Sequence, residues 1–319
     1  MAQGFSICSQ IGANTGGIDC DPTKGLPVQL IPGSAVFSPS DYATNLSFET
    51  AFLAKLIQPK GSPDKLFPFP VIQGNASKTT AAKFATLGYG LQLKLLRSKA
   101  GYEFEVLSGS SLEKKLMKFD GQIVPLFIFD DKSRVWGVLD SNLNFKGAKY
   151  LIGVEPKDFE DGQNAKTTKI TIAIIDSRDF VENAEFADTS FNASDLVGLN
   201  DALLFETAAH AANVYKIGLK ISTSSVLTFL DVHATPGYNT GLASAALWAA
   251  KTGVNFGTAL AITSVADDPV NGGWTVTFDS TAYTALATGA KILLNLASPV
   301  ALNGASITGI EGSPLILVK

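Results

Sequence analysis

Residues 166–176 read Lys-Thr-Thr-Lys-Ile-Thr-Ile-Ala-Ile-Ile-Asp, and their alternation constrains the fold more than any other stretch of the chain. Thr168, Ile170, Ile172 and Ile174 share one face of an extended backbone, while Thr167, Lys169, Thr171 and Ala173 share the other. A period of two does not match a helical stripe, so the segment is expected to be a β-strand with one buried face. A central place in a sheet is expected for it, with the isoleucines inward and the Thr/Lys face toward solvent, a channel or a neighbouring subunit.

The flanking sequence repeats the signal. Strands are expected at residues 86–97, 102–107, 122–129, 134–139 and 145–154, with the first two joined as a hairpin through Ser98–Gly101 and the next two through Asp130–Ser133. Two helices interrupt them. Phe48, Phe52, Leu53, Leu56 and Ile57 mark one helical face, capped by Asn45 or Ser47 and ended by Pro59. Ser110 and Glu113 have capping-box spacing, followed by Leu112, Leu116 and Phe119 on one face. The prolines of residues 66–74 suit an extended edge segment.

After Phe180 the pattern loosens, and a domain boundary is expected near residues 200–206. Beyond it, short strands are expected at 215–222, 225–232, 260–265, 274–278, 291–296 and 315–318, with one helix at 242–251. The expected fold class is mainly β, with an α+β first domain. Residues 1–40 form an extended N-terminal arm holding a short strand at Leu26–Ile31. Residues 41–200 form a β-rich, sandwich- or barrel-like assembly domain with short helices. Residues 206–319 form a smaller immunoglobulin-like β-sandwich, without the inter-sheet disulfide because this half has no cysteine. A length of 319 residues suits two domains.

Composition narrows the function. Charged residues make up 17% of the chain, against roughly 25% in an ordinary soluble domain, so neighbouring subunits are expected to cover part of the surface. A net charge of −4 argues against a general nucleic-acid binder, which carries a basic stripe. There is no run of 18 apolar residues to span a membrane. Residues 1–12 lack the basic and apolar regions of a secretory signal, so synthesis and assembly in the cytoplasm are expected. The two cysteines, Cys8 and Cys20, fit either free thiols or a disulfide closing a short loop. Two thiolates with no nearby histidine do not make a zinc site.

No catalytic constellation is legible, and no catalytic, cofactor-binding or metal-binding residue is assigned. His210 and His233 lie 23 positions apart, outside metal-ligand spacing, and both read as structural. The chain lacks a nucleophile elbow, a phosphate-binding loop and a dinucleotide fingerprint. Gly88 and Gly90 read as a bend within a strand. Asp130–Asp131 and Asp267–Asp268 fall at expected turns, where aspartate bonds backbone N–H groups. Asp19 and Asp21 lack the further oxygens of a calcium loop, and Phe159–Gly162 reads as a turn. Trp136, Trp248 and Trp274 read as buried anchors, with stacking on sugars as the alternative.

Four stretches carry a resemblance: residues 8–32 (CSQIGANTGGIDCDPTKGLPVQLIP), 66–74 (LFPFPVIQG), 134–147 (RVWGVLDSNLNFKG) and 159–180 (FEDGQNAKTTKITIAIIDSRDF). Together they resemble abundant virion proteins of phages that infect Bacteroidota. The resemblance implies a structural protein with no cofactor, most like a major tail-tube protein with an immunoglobulin-like appendage. Its implied partners are copies of itself, other virion proteins and packaged or passing DNA. A capsid or capsid-decorating protein is the alternative placement, and a carbohydrate- or surface-binding β module is the alternative of another class.

Overall fold

The computed structural model describes residues 25–77, 83–86, 92–96, 101–107, 109–156, 167–176, 180, 182–222 and 229–319. Cys8, Cys20, Asp19, Asp21, Gly88, Gly90 and Phe159–Gly162 lie outside them. The chain divides into two compact units, Met1–Leu56 with Lys60–Gly198, and Ile57–Pro59 with Leu199–Lys319. Both are mainly β.

The first unit contains β1 (Pro27–Pro32), β2 (Val36–Phe37), β3 (Ile72–Ser77), β4 (Lys83–Thr86), β5 (Gln92–Leu96), β6 (Gly101–Val106), β7 (Ile123–Asp130), β8 (Arg134–Leu139), β9 (Phe145–Lys146), β10 (Ala148–Glu155), β11 (Thr168–Ile174) and β12 (Ala184–Asp188), with helices α1 (Asn45–Leu56) and α2 (Ser110–Leu116). Ten strands make one sheet in the order β2-β9-β8-β7-β10-β11-β6-β3, with β1 added to β7 and β12 to β8. β11 is interior to it, and its burial alternates as its sequence does: Thr168, Ile170, Ile172 and Ile174 are buried, while Lys169, Thr171 and Ala173 are half-exposed.

β7 is the branch point of the sheet. It pairs with β10 through residues 123–126, with β1 through 126–130 and with β8 at 128–129. Leu126 faces one core, with Ile152, Ile170 and Leu116 of α2, while Phe127 and Phe129 face a second core under α1. Burial on both faces explains the nearly unbroken apolar run of this strand. The second core is rich in phenylalanine: Phe37 lies 5.2 Å from Phe48 and 5.6 Å from Phe52 between ring centroids.

The structure corrects several sequence expectations here. The short strand expected at Leu26–Ile31 is β1, but residues 25–40 do not stand apart as an arm: β1 is paired to β7 and buries Leu30 and Ile31 within the first unit. The expected hairpin of 86–97 with 102–107 does not form: β4 pairs with β5, and β6 lies between β11 and β3. The expected strand 145–154 is broken at Gly147, where a Cβ would stand 2.6 Å from the Leu126 nitrogen. Thr44, not Asn45 or Ser47, caps α1; its hydroxyl accepts from the Ser47 N–H at 3.1 Å while Ser47 Oγ accepts from the Thr44 N–H at 3.0 Å. Gly109 occupies the N-cap of α2, one residue before the expected Ser110. The stretch after Phe180 contains a strand, β12.

The second unit contains β13 (Asn200–Ala211), β14 (Val214–Ser222), β15 (Phe229–Asp231), β16 (Trp248–Thr252), β17 (Thr258–Leu260), β18 (Ile262–Asp268), β19 (Gly273–Phe278), β20 (Lys291–Leu296), β21 (Ile310–Ser313) and β22 (Leu315–Val318). One sheet runs β18-β19-β14-β13-β21 with β15 on β14, and a second runs β17-β16-β20-β22. All pairings are antiparallel except β13 with β21. Both sheets feed one core, in which Tyr215, Ile217, Trp274 and Phe278 of the first meet Trp248, Ile292, Leu294 and Leu317 of the second.

Two expectations need correcting in this unit. The division falls between Gly198 and Leu199, close to the expected boundary, but residues 200–206 are no linker: they are the first half of β13, and Ala202 and Leu204 are core residues. The expected helix 242–251 is instead a 3-10 turn at Ala245–Leu247 followed by the start of β16, in which Trp248, Ala250 and Thr252 point inward and alternate with exposed Ala249 and Lys251. Alanine's helix preference amounts to a few tenths of a kcal/mol per residue, roughly, and burying Trp248 in the sandwich outweighs it.

Candidate functional site

Aspartate side chains organise the turns. Asp130, 1% exposed, closes the β7–β8 turn by accepting from the Lys132 and Arg134 N–H groups at 2.9 Å each. Its other oxygen accepts from the Trp136 indole at 2.7 Å and the Gly25 N–H at 3.2 Å, and Asp131 accepts from the Leu26 N–H at 2.7 Å. The pair therefore locks the start of β1 onto the β7–β8 turn. Buried oxygens with four N–H partners are fully used, which leaves Asp130 no lone pair with which to hold a ligand.

A second polar cluster lies at the β18–β19 end of the second unit. Asp268 accepts from Lys216 Nζ at 2.6 Å, from Thr275 Oγ1 at 3.0 Å and from both the backbone and side-chain amides of Asn271. The hydrogen bond from Lys216 leads the causes that hold its carboxyl well below the usual carboxylate range. Beside it, Nε2 of His233 lies 2.6 Å from Asp267 Oδ1, and Asp231 accepts from the His233 N–H at 3.0 Å. Asp267 and Asp268 thus end a strand, and the turn follows at 269–272.

A histidine–aspartate pair can move a proton, and nucleophilic catalysis needs a hydroxyl or thiol bonded to that histidine. Among the described residues no Ser, Thr or Cys side chain is hydrogen-bonded to the His233 ring. His210 lies on β13 with its ring stacked 4.4 Å from that of Tyr215. Among the described residues no three His, Cys, Asp or Glu side chains are placed to hold a metal ion, and no helix is long and apolar enough to cross a membrane.

The tryptophans are anchors. Trp274 is 0% exposed and donates to the Asn239 carbonyl at 2.8 Å; Trp248, 5% exposed, donates to the Leu242 carbonyl at 2.9 Å. Neither offers a ring face to a sugar. Trp136 is half-buried against Phe186, with centroids 4.9 Å apart.

Among the described residues, the first unit presents an exposed apolar face. The side of β7, β10, β11 and β6 away from the core carries Ile123, 58% exposed, and Leu151, 40% exposed, in register with each other and with Ala173 and Gly101. Next to this apolar row a depression of about 280 Å³ has Gly121, Gly153 and Thr171 in its lining. At the sheet's end, β3 (Ile-Gln-Gly-Asn-Ala-Ser) pairs only with β6 among the described residues and carries no charge. Sequence reasoning had no signal for the depression, because it depends on which glycines the register brings side by side. No protein-family model matches the chain, and no curated protein matches it significantly.

Proposed function

We propose that this chain is a self-assembling structural protein of a virion, with the first unit as the assembly module and the second as an immunoglobulin-like module. The observation that carries the assembly reading is β3, an uncharged strand at the end of the sheet order that pairs only with β6 among the described residues. Monomeric proteins shield such edges with lysine, proline or a covering segment, whereas β3 presents six uncharged residues and a single irregularity at Ile72/Gly74. A neighbouring subunit's strand would extend the sheet at this end.

The immunoglobulin-like reading rests on strand order. The immunoglobulin sandwich places strands A, B, E and D on one sheet and C, F and G on the other, with C′ added beyond C in variable-type domains. Assigning β13, β14, β18 and β19 to A, B, D and E, and β16, β17, β20 and β22 to C, C′, F and G, reproduces both sheet orders, with β15 and β21 as additions to the first sheet. Trp248 then stands on strand C, where the fold keeps its buried tryptophan.

Placement within the virion follows the resemblance, which favours a tail tube whose wall is made by strands paired between subunits. A shell or shell-decorating role is the second reading, and the self-complementary face described below favours it. Electron microscopy of the purified protein tests the assembly reading: rings, tubes or shells support it, and a uniform field of single particles at high concentration refutes it.

A further inference from the structure

We infer that the outer face of β7, β10, β11 and β6 is a two-fold contact between two copies of this chain. The inference rests on the self-assembly reading and adds a specific surface and geometry to it.

The argument starts from β10. Its outward residues are Lys149, Leu151, Gly153 and Glu155, alternating with buried Ala148, Tyr150, Ile152 and Val154. A two-fold axis in the plane of the face, perpendicular to the strands and level with Ile152, sets this sequence against itself in reverse. Lys149 then meets Glu155 of the second copy, and Leu151 meets Gly153. A cation faces an anion, and Leu151 faces Gly153, over which the Thr171 hydroxyl leans, twice each by symmetry. Neither Lys149 nor Glu155 has an ion-pair partner within its own chain among the described residues, and both are exposed.

The neighbouring strands obey the same operation. Ile123 is in register with Leu151, while Gly121 lies beside Gly153, its N–H donating to the Ile152 carbonyl at 2.8 Å. The axis therefore sets Ile123 over the partner's Gly121, where the surface is open, and Leu151 over the partner's Gly153 and Thr171 at the wall of the same depression. Stacked sheets pack about 10 Å apart with strands nearly aligned, which suits this face-to-face arrangement.

Four strands spaced about 4.8 Å apart and seven residues long cover about 400 Å² on each copy. A stable isolated dimer needs about 800 Å² per partner, so this contact is weak alone and counts where an assembly repeats it. A tube whose subunits all point one way has no place for such an axis, whereas a shell has one. The contact therefore bears on placement as well.

The test is sedimentation of the full chain over a concentration series, comparing wild type with Lys149→Glu, Glu155→Lys and the double exchange. The four should melt close together, with Glu155→Lys lowest because position 155 stands opposite Lys169 on β11. Each single reversal should raise the concentration at which association begins by roughly tenfold, since two pairings become repulsive. The double exchange should return it to the wild-type value. Single variants that associate like wild type, or a double variant worse than either single, would overturn the contact while leaving self-assembly standing. A wild-type chain that stays monomeric throughout would overturn both.

Discussion

Glu185 should make the first unit less stable as pH rises through neutrality. It lies on β12, 3% exposed, and its one hydrogen bond among the described residues comes from the Phe186 N–H at 3.4 Å. Burial pushes its carboxyl up to about 7 from an ordinary 4.5, with the Phe186 N–H pulling weakly the other way. Below the ordinary value both folded and unfolded chains hold the proton, and nothing is lost. Between the two values the unfolded chain ionises and the folded one does not, so stability falls with pH and then levels off above 7. A difference of 2.5 units, at about 1.4 kcal/mol each, amounts to about 3 kcal/mol. Glu185→Gln keeps the shape and removes the charge. It should match wild type at pH 4 and exceed it at pH 8 by up to about 3 kcal/mol, or about 6–12 °C in melting temperature for a domain of this size. Denaturant titrations of both proteins at several pH values read this directly. A gap that is equal at pH 4 and pH 8, or a less stable variant at pH 8, would show that the buried carboxylate is compensated.

Three further outcomes follow from the packing. Ile172→Asp should prevent folding of the first unit, because an unpaired carboxylate in a 2%-exposed site costs several kcal/mol against a total of about 5–15, while Thr171→Asp should fold with a circular dichroism spectrum like wild type. Asp268→Asn should lower second-unit stability by roughly 1–3 kcal/mol at pH 7 by removing the charge that Lys216 faces. Since the Asp268 carboxyl is held below its ordinary range, that difference should shrink as pH falls through and below the range, which acid titrations of both proteins would reveal. Chains 1–198 and 199–319 should each give one cooperative melt, whereas a cut at 206 would remove half of β13 and leave the second part unfolded.

Legibility from sequence tracked how local the deciding interaction was. β8, β20 and β22 match their expected bounds, and β11 its expected faces, because alternation against one core is written within a few residues. β13 was hidden by its composition: Thr207–Ala211 is small and polar, and the strand's inward residues lie at its other end. β16 was hidden by alanines, which carry a helical preference that the sandwich overrides. The partner of β6 was misjudged because a nearby strand is the better guess until β11, more than sixty residues away, takes the place beside it. Asp130 was placed correctly at a turn, but its hold on Gly25 spans 105 positions and left no local mark. The candidate interface was invisible for the same reason, since Gly121 and Gly153 become neighbours only through the pairing of β7 with β10.

Analytical ultracentrifugation of the purified wild-type chain tests the account most directly, because assembly is its central claim. With rising concentration the account predicts growth from single chains to larger species, with rings, tubes or shells in electron micrographs of the same samples. A single monomeric boundary at every concentration, with micrographs showing only isolated particles, would contradict it.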